Sequence, residues 1–230
     1  EIACAVIDPA SGFAYFGSDE SPASVVKIRL FDFTRVDKIT FEFGEDYIYA
    51  AVIDPDAGFA YFGTSTEPGM IVKVRLSDFT RVGSIAFASG EDYVSAAVID
   101  PEAGFAYFGT WTYPSMIVKV RLSNFTRVNK ITFDIAEYEV SCAVIDPASG
   151  FAYFGCGYNP PIIVSVALSA FARADALILT GVGLQLYSAV IDPGAGFAYF
   201  GTYGIPGGVV KISVPISMLM VDHLLMTGVH

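Results

Sequence analysis

Five aspartates stand 46 residues apart, Asp8, Asp54, Asp100, Asp146 and Asp192, and a proline follows each of them. Two kinds of chemistry fit such a series. A ring of carboxylates could collect cations, or each carboxylate could cap its own turn by accepting hydrogen bonds from backbone amides, as Asp does in tight turns. Because every copy sits before proline and needs the same turn, the capping role is favoured and no metal site is expected. The segments that differ most between copies are residues 18–24, 64–70, 110–116, 156–162 and 202–208, in which a proline is kept while its neighbours change. They carry Glu67, the single tryptophan Trp111, and Tyr113, Tyr158 and Tyr203; Asp92 falls on a link expected at the same end of the fold. Aromatic faces beside carboxylates could stack on a sugar ring or hold a basic peptide. Loop aromatics that bind nothing are the alternative, and it stays open here.

Catalytic chemistry has little to work with. His223 and His230 are the only histidines, so no His-based triad or multi-His metal site can be assembled. A glycosidase needs two carboxylates that break the repeat symmetry, and no acidic residue stands alone in an apolar inner-strand position. The expectation is therefore a non-enzymatic protein with no cofactor, a glycosidase being the third choice. Cys4, Cys142 and Cys156 have no metal-ligand spacing. Cys142 and Cys156 fall at the start of one strand and the end of the next, close enough for a disulfide if the register allows; buried small residues are the alternative. Asn124-Phe125-Thr126 is a glycosylation sequon if the chain is secreted, although a chance Asp-to-Asn change accounts for it equally well.

The elements that would position these residues follow from the period. The 230 residues are five times 46, and the block A-V-I-D-P-x-x-G-F-A-Y-F-G keeps eleven of its thirteen positions in all five copies. A period of this length filled with short apolar strands and turns indicates propeller blades of four strands each. In the second repeat the strands are read as Ala50 to Ile53, Gly58 to Gly63, Met70 to Leu76 and Ser84 to Phe87. The first two are apolar on both faces, as strands between neighbouring blades should be. In the third, Val72, Val74 and Leu76 alternate with Lys73 and Arg75, which places it nearer the rim. Phe13, Tyr15, Phe16 and their equivalents are assigned to packing between blades. The expected fold is all-β, one five-bladed β-propeller with antiparallel blades at about 1–46, 47–92, 93–138, 139–184 and 185–230.

The block AVIDPDAGFAYFGT with the IVKVRL that follows it resembles the repeats of the β-propeller superfamily that includes YVTN-type, surface-layer-like and WD-like members. The resemblance covers the whole chain and implies architecture; such propellers serve as binding platforms, lectins, adhesins and enzymes.

Composition narrows the partners. A chain that is 53% hydrophobic and 16% charged is not disordered, and a net charge of −11 has the wrong sign for tracking nucleic acid. No apolar stretch reaches the length of a membrane helix, and a start at Glu1 without a leader pattern reads as a mature or excised piece. Residues 1–138 hold 11 basic and 19 acidic side chains, residues 139–230 only 2 and 5. Outer strands are normally blunted by charge. The uncharged outer segments of the last two repeats, with Leu177, Leu179, Met218, Met220, Leu224 and Met226, are therefore expected to form an assembly surface. The first functional expectation is an extracellular or cell-surface structural module that docks to itself or to a neighbouring domain there, in a filament or surface layer. A lectin-like or peptide-binding propeller using the loop aromatics is second.

Overall fold

The computed structural model describes residues 1–157, 159–181, 185–204 and 207–215, and the strand backbone of 221–225. Every regular element among them is a β-strand. Blade one comprises β1 (Ile2–Asp8), β2 (Phe13–Ser18), β3 (Ser24–Arg29) and β4 (Thr34–Thr40). Blade two comprises β5 (Ile48–Asp54), β6 (Phe59–Thr64), β7 (Met70–Arg75) and β8 (Thr80–Ala86). Blade three has β9 (Val94–Asp100), β10 (Phe105–Thr110), β11 (Met116–Arg121) and β12 (Thr126–Thr132). Blade four has β13 (Cys142–Asp146), β14 (Phe151–Cys156), β15 (Ile162–Ala167) and β16 (Ala172–Ile178). Blade five has β17 (Gln185–Asp192), β18 (Phe197–Tyr203), β19 (Gly208–Ser213) and β20 (Val221–Leu225). Each blade is one four-stranded sheet in chain order.

The repeated turn explains why the first two strands of each blade pair. Asp54 Oδ1 accepts the Ala57 N–H at 3.0 Å, and the Asp54 carbonyl accepts the Gly58 N–H at 3.0 Å. Gly58 has φ +78°, a conformation glycine adopts without Cβ strain. Asp8, Asp100, Asp146 and Asp192 accept from Ser11, Ala103, Ser149 and Ala195 in the same way. Each carboxylate is thus engaged by its own turn.

The fourth strand of blade two begins at Thr80, earlier than the Ser84 read from the sequence. A register shift between Lys73 and Val74 interrupts the alternation of the β7–β8 pair, so a two-residue pattern does not reveal where β8 starts.

Contacts divide the chain into two compact units, residues 1–110 with 118–129 and residues 111–117 with 130–230. In the first unit β1 lies against β5 and β5 against β9, so first strands are innermost. Its core contains Tyr15, Val25, Phe41, Phe62, Val72 and Phe79 at one blade joint and Tyr61, Ile71, Phe87, Phe108 and Val118 at the next. In the second unit β13 lies against β17 over a core of Tyr153, Ile163, Leu179, Leu186 and Phe200. The tyrosine of the F-A-Y-F motif is at most 1% exposed in blades one to four, and Phe62, Phe108, Phe154 and Phe200 are fully buried. The third strand β7 lies outside β5 and β6, nearer the rim as its alternation indicates, yet Lys73 is not fully exposed. It is half-buried, with Nζ 3.8 Å from the centre of the Phe59 ring. No helix among the described residues is long and apolar enough to cross a membrane.

Candidate functional site

The variable connection between second and third strands is held against the link that leaves the fourth strand. In the first unit Gly69 N–H donates to Glu91 O at 2.9 Å and Tyr93 N–H to Thr66 O at 3.0 Å; Ala23 and Tyr47 donate to Glu45 O and Glu20 O in the same manner. In the second unit Ser115 donates to Glu137 O and Glu139 to Thr112 O, both at 3.1 Å. In blades one to four this connection contains a cis proline peptide: Ser21-Pro22, Glu67-Pro68, Tyr113-Pro114 and Asn159-Pro160. The two kinds of loop share one end of each blade, and that end is rigidly tied.

The glutamates of these links, including Glu91 beside the expected site residue Asp92, are not part of an open acidic face. Glu45, Glu91 and Glu137 are 2%, 0% and 3% exposed. Each is gripped by an arginine 36 residues later, on the following blade. Arg81 Nη2 lies 2.5 Å from Glu45 Oε1 and its Nε 2.8 Å from Oε2, a bidentate pair. Arg127 holds Glu91 and Arg173 holds Glu137 in the same geometry. The second carboxylate oxygen also accepts a backbone N–H from Glu42, Ala88 or Asp134. Burial pushes the Glu45 carboxyl up, but the hydrogen bonds from Arg81 and Ser84 and the Glu42 N–H outweigh it, and the group lies below the ordinary carboxylate range. These clasps were missed from sequence, although Glu45, Glu91 and Glu137 and Arg81, Arg127 and Arg173 both keep the 46-residue step.

Of the residues expected to bind a ligand, Tyr113 is the most open at 67% exposed, and it packs on Tyr138 with ring centres 5.1 Å apart and planes at 55°. Tyr203, also largely exposed, packs on Tyr187 at 5.4 Å. Trp111 and Asp92 are half-buried, and Glu67 is exposed. Tyr158 lies outside the described residues. The structure therefore brings Tyr113 and Tyr203 to tyrosines the sequence reading did not single out, and among the described residues it shows no ring contact or hydrogen bond joining the predicted residues to one another. Ile135 is 61% exposed on the same link as Tyr138, between Asp134 and the buried Glu137.

The expected assembly surface does not survive in the described part. Leu179 is 1% exposed and belongs to the core of the second unit, and Leu177 is half-buried against that core. Leu179 follows β16 and turns inward because its N–H donates to Pro161 O at 2.9 Å, as that of Phe87 does to Gly69 O. Met218, Met220 and Met226 lie outside the described residues, as does the side chain of Leu224.

The cysteines are all free. Cys142 sits opposite Gly155, and a Cβ at Gly155 would meet Cys142 Sγ at 2.7 Å. Cys156, one residue further along β14, points to the opposite face, so the two side chains are not aimed at each other. Burial pushes the Cys4 and Cys142 thiols up to about 12 and Cys156 higher still, which disfavours the thiolate form. Asn124 is exposed in the turn between β11 and β12, where Thr126 Oγ1 donates to its Oδ1 at 2.8 Å, as Thr80 does to Asp78 at 2.7 Å. Among the described residues no cluster of His, Cys, Asp and Glu could hold a metal ion.

No protein-family model and no curated protein matches the sequence. Among solved structures the chain is similar to the β-propeller domain of Cps50 (Swd1) from Myceliophteria thermophila, with a TM-score of 0.72 and 9% sequence identity over 96% of this chain and 70% of that one. With five blades of four antiparallel strands built on one repeated turn, that likeness identifies the fold as a β-propeller.

Proposed function

We propose that this protein is a non-enzymatic protein-interaction scaffold that takes a basic peptide segment on the aromatic loop end of its second unit. The observation that carries the reading is the Tyr113–Tyr138 pair, two rings inclined at 55° with Tyr113 67% exposed on a main-chain frame clamped by two hydrogen bonds. Inclined aromatic faces suit an aliphatic stem or a cation, and they cost little entropy to order. Glu139, the chain neighbour of Tyr138, adds a carboxylate on the same link. A propeller fold is in keeping with such a scaffold. An extracellular site of action belongs to the same proposal and rests on the exposed Asn124 sequon.

The test is an array of Lys- and Arg-containing peptides, run beside a glycan array, with the unaltered chain, Tyr113→Ala and Tyr138→Ala. Loss of one hot-spot ring should weaken peptide binding about 30-fold or more. Glycan signal that depends on Tyr113, with no peptide signal, would transfer the site to the sugar-binding reading. Binding unchanged in both variants would remove it.

A further inference from the structure

The leading side of blade one, the counterpart of the side by which blades two and three meet the blade before them, is more exposed than theirs among the described residues. Phe16, Val26 and Ile28 are half-buried, whereas their counterparts Phe62, Val72 and Val74 are fully buried. Leu30 is 38% exposed against 8% for Leu76, and Phe33 is 82% exposed against 4% for Phe79. Arg35 is exposed and forms no ion pair among the described residues, although the arginine one repeat later, Arg81, grips Glu45 of the preceding blade.

This more exposed side is nevertheless shaped for a joint. Phe33 has φ +52°, as Phe79 has +49° and Phe125 +51°, a conformation strained for a bulky residue. The turn is locked from within: Asp32 accepts from Thr34 Oγ1 at 2.6 Å and from Arg29 Nη1 at 3.1 Å. In the second and third blades the same turn delivers phenylalanine to the preceding blade, Phe79 beneath Lys27 and against Tyr15, Phe125 beneath Lys73 and against Tyr61. Blade one holds the same phenylalanine in the same strained turn, with no ring contact among the described residues.

We propose that the leading side of blade one docks a further blade of this repeat type, on a polypeptide segment that carries the lysine and the link glutamate of the first three repeats. Phe33 would enter its Lys–Tyr pocket and Arg35 would close on its glutamate. The charge requirement selects this occupant over a second copy of the chain. The fifth repeat has Met226 and Val229 where the first has Glu42 and Glu45, so it supplies no carboxylate to Arg35 at either position.

A copy of residues 47–92 joined ahead of Glu1 places its glutamate 36 residues before Arg35, the interval of the three observed clasps. Hydrogen exchange of blade one in the extended chain should slow about tenfold relative to the original chain. Arg35→Ala and Phe33→Ser should each abolish most of that protection, while Phe31→Ser, at a 96% exposed position that is serine in repeats two to four, should not. An extension copied from residues 185–230, lacking the acid, should protect less. Blade one exchanging alike with and without the extension, equal protection by the two extensions, or indifference to Arg35→Ala would overturn the proposal. So would a dimer of the unextended chain, seen by light scattering, that Phe33→Ser dissociates, because a second copy would then be the occupant.

Discussion

The joint between blades one and two and the joint between blades four and five are made of equivalent strands but closed by different chemistry. In the first, Glu45 and Arg81 form a bidentate pair, Lys27 lies between Phe13, Tyr15 and Phe79, and Phe41 meets Phe62 edge-on at 6.1 Å. In the second, the position of Phe41 is Leu179, that of Lys27 is Ser165, and in sequence Glu45 and Arg81 become Gly183 and Leu219. Ser165 turns to its own sheet, accepting the Asp175 N–H at 3.0 Å. Acid and base have disappeared together. A buried ion pair often contributes little net stability over an apolar replacement, whereas a half-removed pair is costly. The loss of both partners at one joint is what that asymmetry predicts.

The sharpest way to break this comparison is to remove one partner. Arg81→Ala leaves Glu45 buried with its carboxylate unpaired and should cost about 4 kcal/mol in urea unfolding. Converting both positions to the residues of the last joint, Glu45→Gly with Arg81→Leu, should return stability to within about 1.5 kcal/mol of the original, the remainder being the glycine. Equal loss in single and double variants would show that the residues do not act as a pair. The same clasp sets an acid response. Because the folded-state Glu45 carboxyl lies below its ordinary value of 4.5, its contribution is present above that value and is lost as pH falls through the lower folded one. Arg81→Ala should weaken this response, since the arginine's lowering contribution is lost while burial still raises the carboxyl against the Ser84 and Glu42 hydrogen bonds.

The dry joint is tested by Leu179→Ala. A side chain 1% exposed among Tyr153, Leu186 and Phe200 should cost about 3 kcal/mol on truncation. An outer-rim leucine would cost about 0.5 kcal/mol or less.

How much of this was legible can be followed residue by residue. The aspartate turns, the five four-stranded blades and the burial of the F-A-Y-F motif lie in local pattern, and the 46-residue period carries them to every copy. The clasps were hidden because each partner looks like an ordinary charge, one in a loop and one on an outer strand, and only inter-blade packing brings residues 36 apart in sequence together. Leu179 was misplaced for another reason. Apolar residues on an outer segment were read as a surface, but alignment by the period puts Leu179 at the position of Phe41, Phe87 and Phe133, all of them core. The available signal was the period rather than local composition. The Tyr113–Tyr138 contact was illegible in principle, since the second ring sits on a link with no aromatic counterpart at that position in other repeats.

The smallest expected effect isolates the lysine that only some joints keep. Lys73 sits with Nζ 3.8 Å from the Phe59 ring centre and 5.6 Å from that of Phe125 on the next blade. The ring faces attract the cation, but burial, with Arg75 adding to it, lowers the lysine from its ordinary 10.5. Charge attraction and desolvation thus oppose each other, and Lys73→Met, which keeps most of the stem and discards the charge, should cost only about 1 kcal/mol at neutral pH. The difference should widen as pH rises through the lowered folded value towards 10.5, because there the unfolded lysine still holds a proton that the folded one has released, and the original chain gains stability relative to the variant. Buried tyrosines such as Tyr61, pushed up to about 12, lose stability over the same range but do so in both chains, so the comparison cancels them. A difference that narrows with pH would mean that the folded joint holds the charged form more tightly than water does. The lysine joints would then be electrostatic locks, and the serine joint of blade four a weaker substitute for them.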